Sequence, residues 1–410
     1  MSRRVVITGL GIVCPIGNNP EEVWNSVKEG KCGIGPITYY DPSEQKVKLA
    51  GEIKNLDMDA YVDKREARKL DKYTQYALAA ADQAMKASGL MELEESHERW
   101  GVIMASGIGG IATIEENKVR SMEKGCDRVN PFFIPMAITN MAAGNIAIRY
   151  KLHGMCSCVV TACASAANAI GDAFRHIRDG YGDVMVAGGA ESSITPLCIG
   201  GFTSMKALCT SEDPNRASIP FDAERSGFVM GEGAGCLVLE EYEHAKKRGA
   251  HIYAELAGYG ATCDAHHITA PAPDGNGAES CMRNAIADAG LTIDDIDYIN
   301  AHGTSTHMND AAESAAIRRL FGDRADQLKV SSTKSMTGHL LGASAAVEAV
   351  ITAEAVERNF VPPTVNYKVP DPECTLDVVP NTGVEKEIRA ALSNSFGFGG
   401  HNACLVFKKV

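Results

Sequence analysis

Two stretches of this chain occur twice, in the same order, and that recurrence limits the possible folds more than any other feature. Ala164-Ser165-Ala166-Ala167 returns as Ala343-Ser344-Ala345-Ala346, each time leading into further small and apolar residues of helical character. Phe228–Gly231 followed by Cys236-Leu237-Val238-Leu239 returns as Phe396–Gly399 followed by Cys404-Leu405-Val406-Phe407. Chance likeness among Ala-rich helices is the competing explanation, but two matched pairs in register predict duplicated units. The charged segment Glu240–Gly249 sets the boundary near residue 250, so the expected halves are 1–250 and 251–410. No long linker or low-complexity tract separates them, which predicts that they pack as one body.

Within each half, β-rich apolar runs alternate with helical stretches. Val5–Val13, Gly101–Ala105, Val159–Thr161, Asp183–Gly188 and Cys236–Leu239 read as strands, and Ile252–Gly260 opens the second half as another. Tyr73–Ser88 and Ala164–Ile177 read as helices between them. Strands apolar on both faces, separated by helices, define an α/β protein with covered sheets. A further helix begins near Lys64, with Asp63 and Glu66 spaced as a capping box. Along it Arg65, Arg68, Lys69 and Lys72 fall at i, i+3, i+4 and i+7, which puts four cations on one face. Alone, that pattern reads as a solvated helix face.

Fifty-two acidic residues against 40 basic ones give a net charge of -12, which lacks the basic footprint nucleic-acid binding requires. The 13 cysteines are odd in number and dispersed, and Cys14, Cys236 and Cys404 sit in apolar runs. Reduced thiols packing as small hydrophobes, in a reducing compartment, fit this better than disulfides. Met1–Arg4 and the apolar run to Val13 lack a small-x-small cleavage site and read as a buried first strand. No later segment reaches membrane-spanning length, so the expectation is a cytoplasmic chain with no membrane partner. The glycines at 231, 233 and 235 precede a strand, not a helix, and form no dinucleotide fingerprint.

The sharpest chemical signal is Val159-Val160-Thr161-Ala162-Cys163, where an apolar run turns into an Ala-rich helix. A thiol at a helix N-terminus sits beside partial positive charge that favours its thiolate, and unpaired backbone N–H groups nearby can receive an oxyanion. Taken alone, Cys163 could equally be a buried, inert cysteine. His302, in Asn300-Ala301-His302-Gly303-Thr304-Ser305-Thr306, falls in a loop after the apolar run Ile296–Ile299. His339, closing Lys334-Ser335-Met336-Thr337-Gly338-His339, falls at the entrance of the second Ala-rich helix, where the dipole disfavours imidazolium. Neutral imidazoles still donate one N–H to a developing anion.

These segments, with Asp183–Glu191 and Asn394–Gly400, resemble the elongating condensing enzymes of the thiolase superfamily over nearly the whole chain. The resemblance implies a thiolase-like α-β-α-β-α fold of two duplicated halves, a homodimer, and decarboxylative Claisen condensation with no cofactor and no metal on the enzyme. Cys163 would carry the acyl chain, with the N–H groups of Cys163 and Phe398 as its oxyanion hole. His302 and His339 would hold the malonyl thioester, supported by Lys334, with Glu348 in a structural polar network. Thr304 and Thr306 correspond to contacts with the phosphopantetheine arm, Phe398 and Gly399 to a gate, and Ile108 to the acyl pocket. Arg65, Arg68, Lys69, Arg128 and Lys206 match positions that dock an acyl carrier protein.

Two positions depart from the family pattern: His307 stands where proline is usual, and His266 where tyrosine is. Neither His266-His267 with Asp264 nor Cys156, Cys158 and Cys163 makes a convincing metal set. A degradative thiolase would need a Cys-x-Gly where Gly399-Gly400-His401-Asn402 stands, a chain-initiating enzyme an Asn in place of one histidine, and a silent chain-length factor would lack Cys163. An active ketosynthase of aromatic-polyketide synthesis shares all these residues and is the closest alternative; a non-enzymatic carrier-protein scaffold is the alternative from another class.

Overall fold

The computed structural model describes residues 3–410; Met1 and Ser2, where the reading of the N-terminus begins, lie outside the described residues. Ten strands make up its main sheet: β1 (Val5–Val13), β2 (Trp100–Ala105), β3 (Cys156–Ser157), β4 (Val184–Glu191), β5 (Gly233–Glu241), β6 (Ala254–Cys263), β7 (Tyr298–Asn300), β8 (Lys329–Ser331), β9 (Ala390–Gly397) and β10 (His401–Lys408). Their order is β8-β7-β9-β10-β6-β1-β5-β4-β2-β3. Read outward from the centre, both arms follow one pattern. The first half runs antiparallel for β1-β5 and β5-β4, then parallel for β4-β2 and β2-β3. The second runs antiparallel for β6-β10 and β10-β9, then parallel for β9-β7 and β7-β8. The arms join only at Val5–Leu256, Val6–Glu255 and Ile7–Ala254.

Six helices cover the two arms. Helices α1 (Lys72–Ser88) and α2 (Met141–Tyr150) pack on the outer face of the first half. Helices α3 (Ser165–Arg178) and α6 (Ser344–Arg358) lie in the core between the halves, and α4 (Asn276–Asp288) and α5 (His307–Phe321) cover the second. The result is five layers, α-β-α-β-α. Small residues help: α6 is buried at every position from Ser344 to Val356, and Ala345, Ala346, Ala349, Ala353 and Ala355 let it pack closely against its neighbours. At Gly235 on β5, a Cβ would come within 2.4 Å of the Ala346 backbone of α6.

The predicted elements hold with two corrections. Val159–Thr161 is not a strand; pairing stops at Ser157, and Ala162 has φ 51°, which ends any extended run. The helix near Lys64 spans only Lys64–Ala67, and the chain restarts a separate helix at Lys72. Asp63 caps it by accepting from the N–H of Arg65 and Glu66, but Glu66 pairs with Arg149 instead of completing a capping box. The break divides the expected cationic face. Arg65, Arg68 and Lys69 remain exposed, whereas Lys72 turns inward to Glu232 and the Tyr39 ring, and burial lowers its pKa. The thirteen cysteines are all free, with Cys14, Cys236 and Cys404 buried as expected. Among the described residues, no helix is long and apolar enough to cross a membrane.

Candidate active site

Cys163 stands two residues before α3, on a turn whose strain and hydrogen bonds are both visible. Ala162 occupies the left-handed region at φ 51°, a conformation that costs a residue with a Cβ about 1 kcal/mol or more. The turn is held because Ser165 Oγ accepts the Thr161 N–H at 2.8 Å and donates to the Ala162 carbonyl at 2.6 Å. Asn168 adds a bond to Thr161 Oγ1 at 2.6 Å. Cys163 is left half-buried at the floor of a cavity of about 190 Å³. The backbone N–H groups of Phe398 and Cys163 both favour charge on its sulfur, as does Lys334.

Burial nonetheless dominates and pushes the thiol up to about 12, with the Glu191 carboxylate adding to the rise. The expectation of a thiolate set by the helix terminus is therefore corrected. The two N–H groups are better matched to charge that forms during reaction than to a resting thiolate. Gly397 is what lets β9 approach the Cys163 turn: a Cβ there would lie 2.7 Å from the Thr161 carbonyl and 3.1 Å from the Cys163 nitrogen.

The histidines are fixed far more tightly. His302 follows β7 and is 3% exposed; its N–H and that of Gly303 donate to Glu313 at 2.9 and 2.8 Å. His339 is 2% exposed and bridges Met230 through backbone bonds of 2.7 Å to Val229 and 2.9 Å from Gly231. The ring centroids lie 5.3 Å apart, nearly perpendicular, enclosed by Phe228 and Phe396. Both pKa values fall well below the ordinary value of 6.5, through burial first and the charge of Lys334 second.

A donor-only neighbour also assigns the tautomer of His302. Lys334 Nζ, a donor only, stands 3.5 Å from His302 Nδ1, so the proton of that ring sits on Nε2. His302 thus keeps its Nε2–H free. Ser344 Oγ accepts from the Leu340 N–H at 2.7 Å and also bonds His339 Nδ1 at 2.8 Å, which holds that ring in place. Lys334 is 1% exposed, donates to the His302 carbonyl at 2.7 Å and pairs with Glu348. Burial raises Glu348 to about 7 against the opposing pull of Lys334.

The remaining expected residues divide into those around the cavity and those away from it. Thr304, Thr306, Lys206 and Phe398 line it, and the two threonine hydroxyls bond each other at 2.9 Å. Gly399 is exposed beside the cavity with φ 88° and donates its N–H to the Ile268 carbonyl. Ile108 does not line it; it packs behind, in an apolar cluster with Phe202 and Phe228. Arg128 is exposed, and Lys69 stands over the Phe132 ring. His307 begins α5 and faces Glu373, and His266 lies on an exposed loop. Among the described residues, His307, Asp371 and Glu373 alone converge closely enough to suggest a metal set, and Asp371 is already paired with Arg225.

Sequence reading missed Glu313, Ser344, Gly397 and Arg225, whose fully buried side chain donates to the Thr306 and His307 carbonyls. A carboxylate amid Ala311-Ala312-Glu313-Ser314-Ala315-Ala316 is the signal that could have found the first.

A half-buried cysteine with two backbone N–H groups at its sulfur, faced by two neutral imidazoles, has the parts that acyl transfer through a covalent intermediate needs. Residues 2–245 match the family described as beta-ketoacyl synthase, N-terminal domain, and residues 253–368 match its C-terminal domain. The chain is 50% identical over 408 residues to a 3-oxoacyl-[acyl-carrier-protein] synthase 2 of Synechocystis sp., covering 99% of this chain and 98% of that protein. It is also 50% identical to the Staphylococcus aureus (strain COL) protein of the same name, covering 100% and 99%. Among solved structures, a type II polyketide ketosynthase in complex with its acyl-carrier protein superposes with a TM-score of 0.92 at 38% identity, and a beta-ketoacyl synthase from Burkholderia phymatum with 0.92 at 35%, each over the full length of both chains. The chain belongs to the beta-ketoacyl synthase family, and it is an acyltransferase of the thiolase-like fold.

Proposed function

We propose that the chain elongates acyl chains on acyl carrier protein by decarboxylative condensation, with Cys163 as the point of attachment. The single observation that carries this reading is the pairing of a cysteine, its sulfur beside two backbone N–H groups, with two buried neutral imidazoles. Cys163 attacks an acyl thioester, the oxyanion is held by the N–H groups of Cys163 and Phe398, and the thiol proton leaves with the carrier's phosphopantetheine thiol. Malonyl carrier protein then binds with its thioester carbonyl at His302 and His339. Loss of CO₂ forms an enolate whose oxygen takes both Nε2–H donors. The carbanion attacks the acyl-Cys163 carbonyl, the sulfur leaves and regains one proton, and the 3-oxoacyl product is two carbons longer. Removing one such donor from an oxyanion site typically costs about 10²–10³ in rate.

In this reading the two halves divide the work, 1–250 supplying the nucleophile and 251–410 both histidines, and no cofactor or metal takes part. Lys334 fixes His302 through its carbonyl and ring, Glu348 holds Lys334, and Thr304 and Thr306 receive the carrier's arm. Phe398 and Gly399 form the gate, while Ile108 bounds the acyl pocket from behind Phe202. Arg65, Arg68, Lys69, Arg128 and Lys206 would dock the acidic carrier, an interaction a chain of net charge -12 can make only locally. A homodimer is consistent with the exposed apolar side chains of Phe132, Ile134 and Ile138. Fatty-acid elongation is favoured over polyketide assembly because half of all residues are shared with the 3-oxoacyl-[acyl-carrier-protein] synthase 2 relatives, against 38% with the type II polyketide ketosynthase.

The test is intact mass after mixing the protein with long-chain acyl carrier protein and then malonyl carrier protein. An acyl increment on Cys163 that disappears as 3-oxoacyl carrier protein forms supports the reading. An increment that malonyl carrier protein cannot discharge, or none at all, defeats it.

A further inference from the structure

The turn that carries Cys163 has a twin in the second half. Ala164-Ser165 heads α3 as Ala343-Ser344 heads α6, which places Gly342 opposite Cys163 and Leu341 opposite Ala162. The geometry repeats as well as the sequence. Leu341 has φ 48° where Ala162 has 51°. Ser344 Oγ accepts the Leu340 N–H at 2.7 Å where Ser165 Oγ accepts that of Thr161 at 2.8 Å. The Ala343 N–H reaches the Leu340 carbonyl at 3.0 Å, as that of Ala164 reaches Thr161 at 3.1 Å.

One thing differs. The Cys163 N–H lies at its own sulfur in a residue that lines the cavity, but the Gly342 N–H donates to Glu191 Oε2 at 3.1 Å. Glu191 ends β4, the strand that corresponds to β9 in the other arm, and is 0% exposed. The same oxygen accepts the Gly107 N–H at 2.7 Å, and Oε1 accepts Ile108 N–H and the Ser106 and Ser193 hydroxyls at 3.1–3.2 Å. Five donors and no acceptor fit an ionised carboxylate. There is no space for anything else in this turn: a Cβ on Gly342 would lie 2.1 Å from the Gly107 nitrogen.

We infer that Glu191 is a positioning residue whose carboxylate occupies the twin of the oxyanion hole and so ties the turn bearing His339, in the second half, to the Ser106–Ile108 turn of the first. The link to His339 runs through Leu341 and through Ser344, which holds both the Leu340 N–H and His339 Nδ1. The carboxylate is also felt at Cys163, whose thiol it makes harder to ionise while Lys334 makes it easier. Glu191 therefore sets the geometry of one half-site and the electrostatics of the other.

The inference rests on the proposed reaction, so the experiment reads its steps separately on the full-length protein. In Glu191→Gln the amide oxygen can keep the Gly107 and Gly342 bonds, but its NH₂ opposes the Ile108 N–H, and the charge is gone. Acylation of Cys163 stays within about threefold of the unmodified protein, whereas decarboxylation of malonyl carrier protein by the acylated enzyme falls about 10–100-fold, the scale of an ångström-level misplacement. The pH profile of Cys163 alkylation by iodoacetamide moves to lower pH. Glu191→Asp, which keeps the charge but shortens the reach, loses decarboxylation while leaving the alkylation profile in place. Unmodified protein that neither acylates nor decarboxylates sinks the reaction itself and not this role. Variants that decarboxylate at full rate, or lose both steps in proportion to folded protein with an unmoved Gln profile, overturn the role.

Discussion

The turns before α3 and α6 share a sequence, a strained residue and a serine clamp, yet one is open to substrate and the other is closed. In the first, Cys163 is half-buried, lines a cavity and has its own N–H at its sulfur. In the second, Gly342 has no side chain, is sealed against Gly107, and spends its N–H on an internal carboxylate. The difference teaches how a duplicated fold supports a single nucleophile. The strain near 50° in φ is present in both copies, so it belongs to the turn and not to the chemistry. What makes a site is the donor left unpaired and the space in front of it. The closed copy then becomes a fixed base from which His339, three residues before Gly342, can be held rigidly.

The largest effects should come from the residues that make the open copy reactive and face it. Cys163→Ser leaves a far weaker nucleophile, and acyl-enzyme formation measured by intact mass should fall at least about 10³-fold. His302→Ala and His339→Ala should acylate nearly normally but lose about 10²–10³ in malonyl decarboxylation, each removing one N–H donor. Equal loss of both steps in the histidine variants would break the assignment of the two halves to two separate tasks.

Placing a methyl group in each copy gives the next comparison. Gly397→Ala puts a Cβ 2.7 Å from the Thr161 carbonyl beside the open turn, and Gly342→Ala puts one 2.1 Å from the Gly107 nitrogen in the closed one. Neither obstacle is a flexible side-chain end, so backbone must shift. Gly342→Ala should cost about 3 kcal/mol of stability by denaturant titration, at the upper end for overpacking. Gly397→Ala should cost less stability but slow acylation about tenfold, because it parts the Phe398 and Cys163 N–H groups. Should Gly397→Ala leave acylation untouched, Phe398 has no part in the oxyanion site.

Much of this was legible in the sequence for a definite reason. The layered fold and the twin helices follow from alternating apolar runs and repeated Ala-Ser-Ala-Ala, which are local patterns. Cys163, His302 and His339 stood out because each falls at an element end among Gly, Ser and Thr. Residues that act through long-range hydrogen bonds were not legible: Glu313 reaches back to His302 and Gly303 from α5, and Glu191 reaches Gly342 from 151 residues away. The apparent four-cation helix failed because a periodic pattern says nothing of a buried partner, and Glu232 draws Lys72 inward. Likewise the thiol was expected to be acidified by its helix, whereas burial outweighs the helix terminus, and that burial comes from residues of both halves that only the fold brings together.

That last point makes the two kinds of group separable by acid. Burial lowers the pKa of His339 in the folded protein, while the unfolded chain takes up a proton near pH 6.5. Below that value the unfolded state binds a proton that the folded state does not, so stability from the neutral imidazole is present above pH 6.5 and is lost as pH falls toward the folded value. For one histidine the loss between pH 7.5 and 5.5 is about 1.4 kcal/mol. The stability advantage of the unmodified protein over His339→Gln, measured in urea at the two pH values, should shrink by about that amount. Cys163→Ala should show no such change, because burial raises the thiol and keeps it neutral in both states across this range. A gap for His339→Gln that stays constant with pH would mean that His339 is solvated when folded, and the rigid donor argued for the closed half would fail.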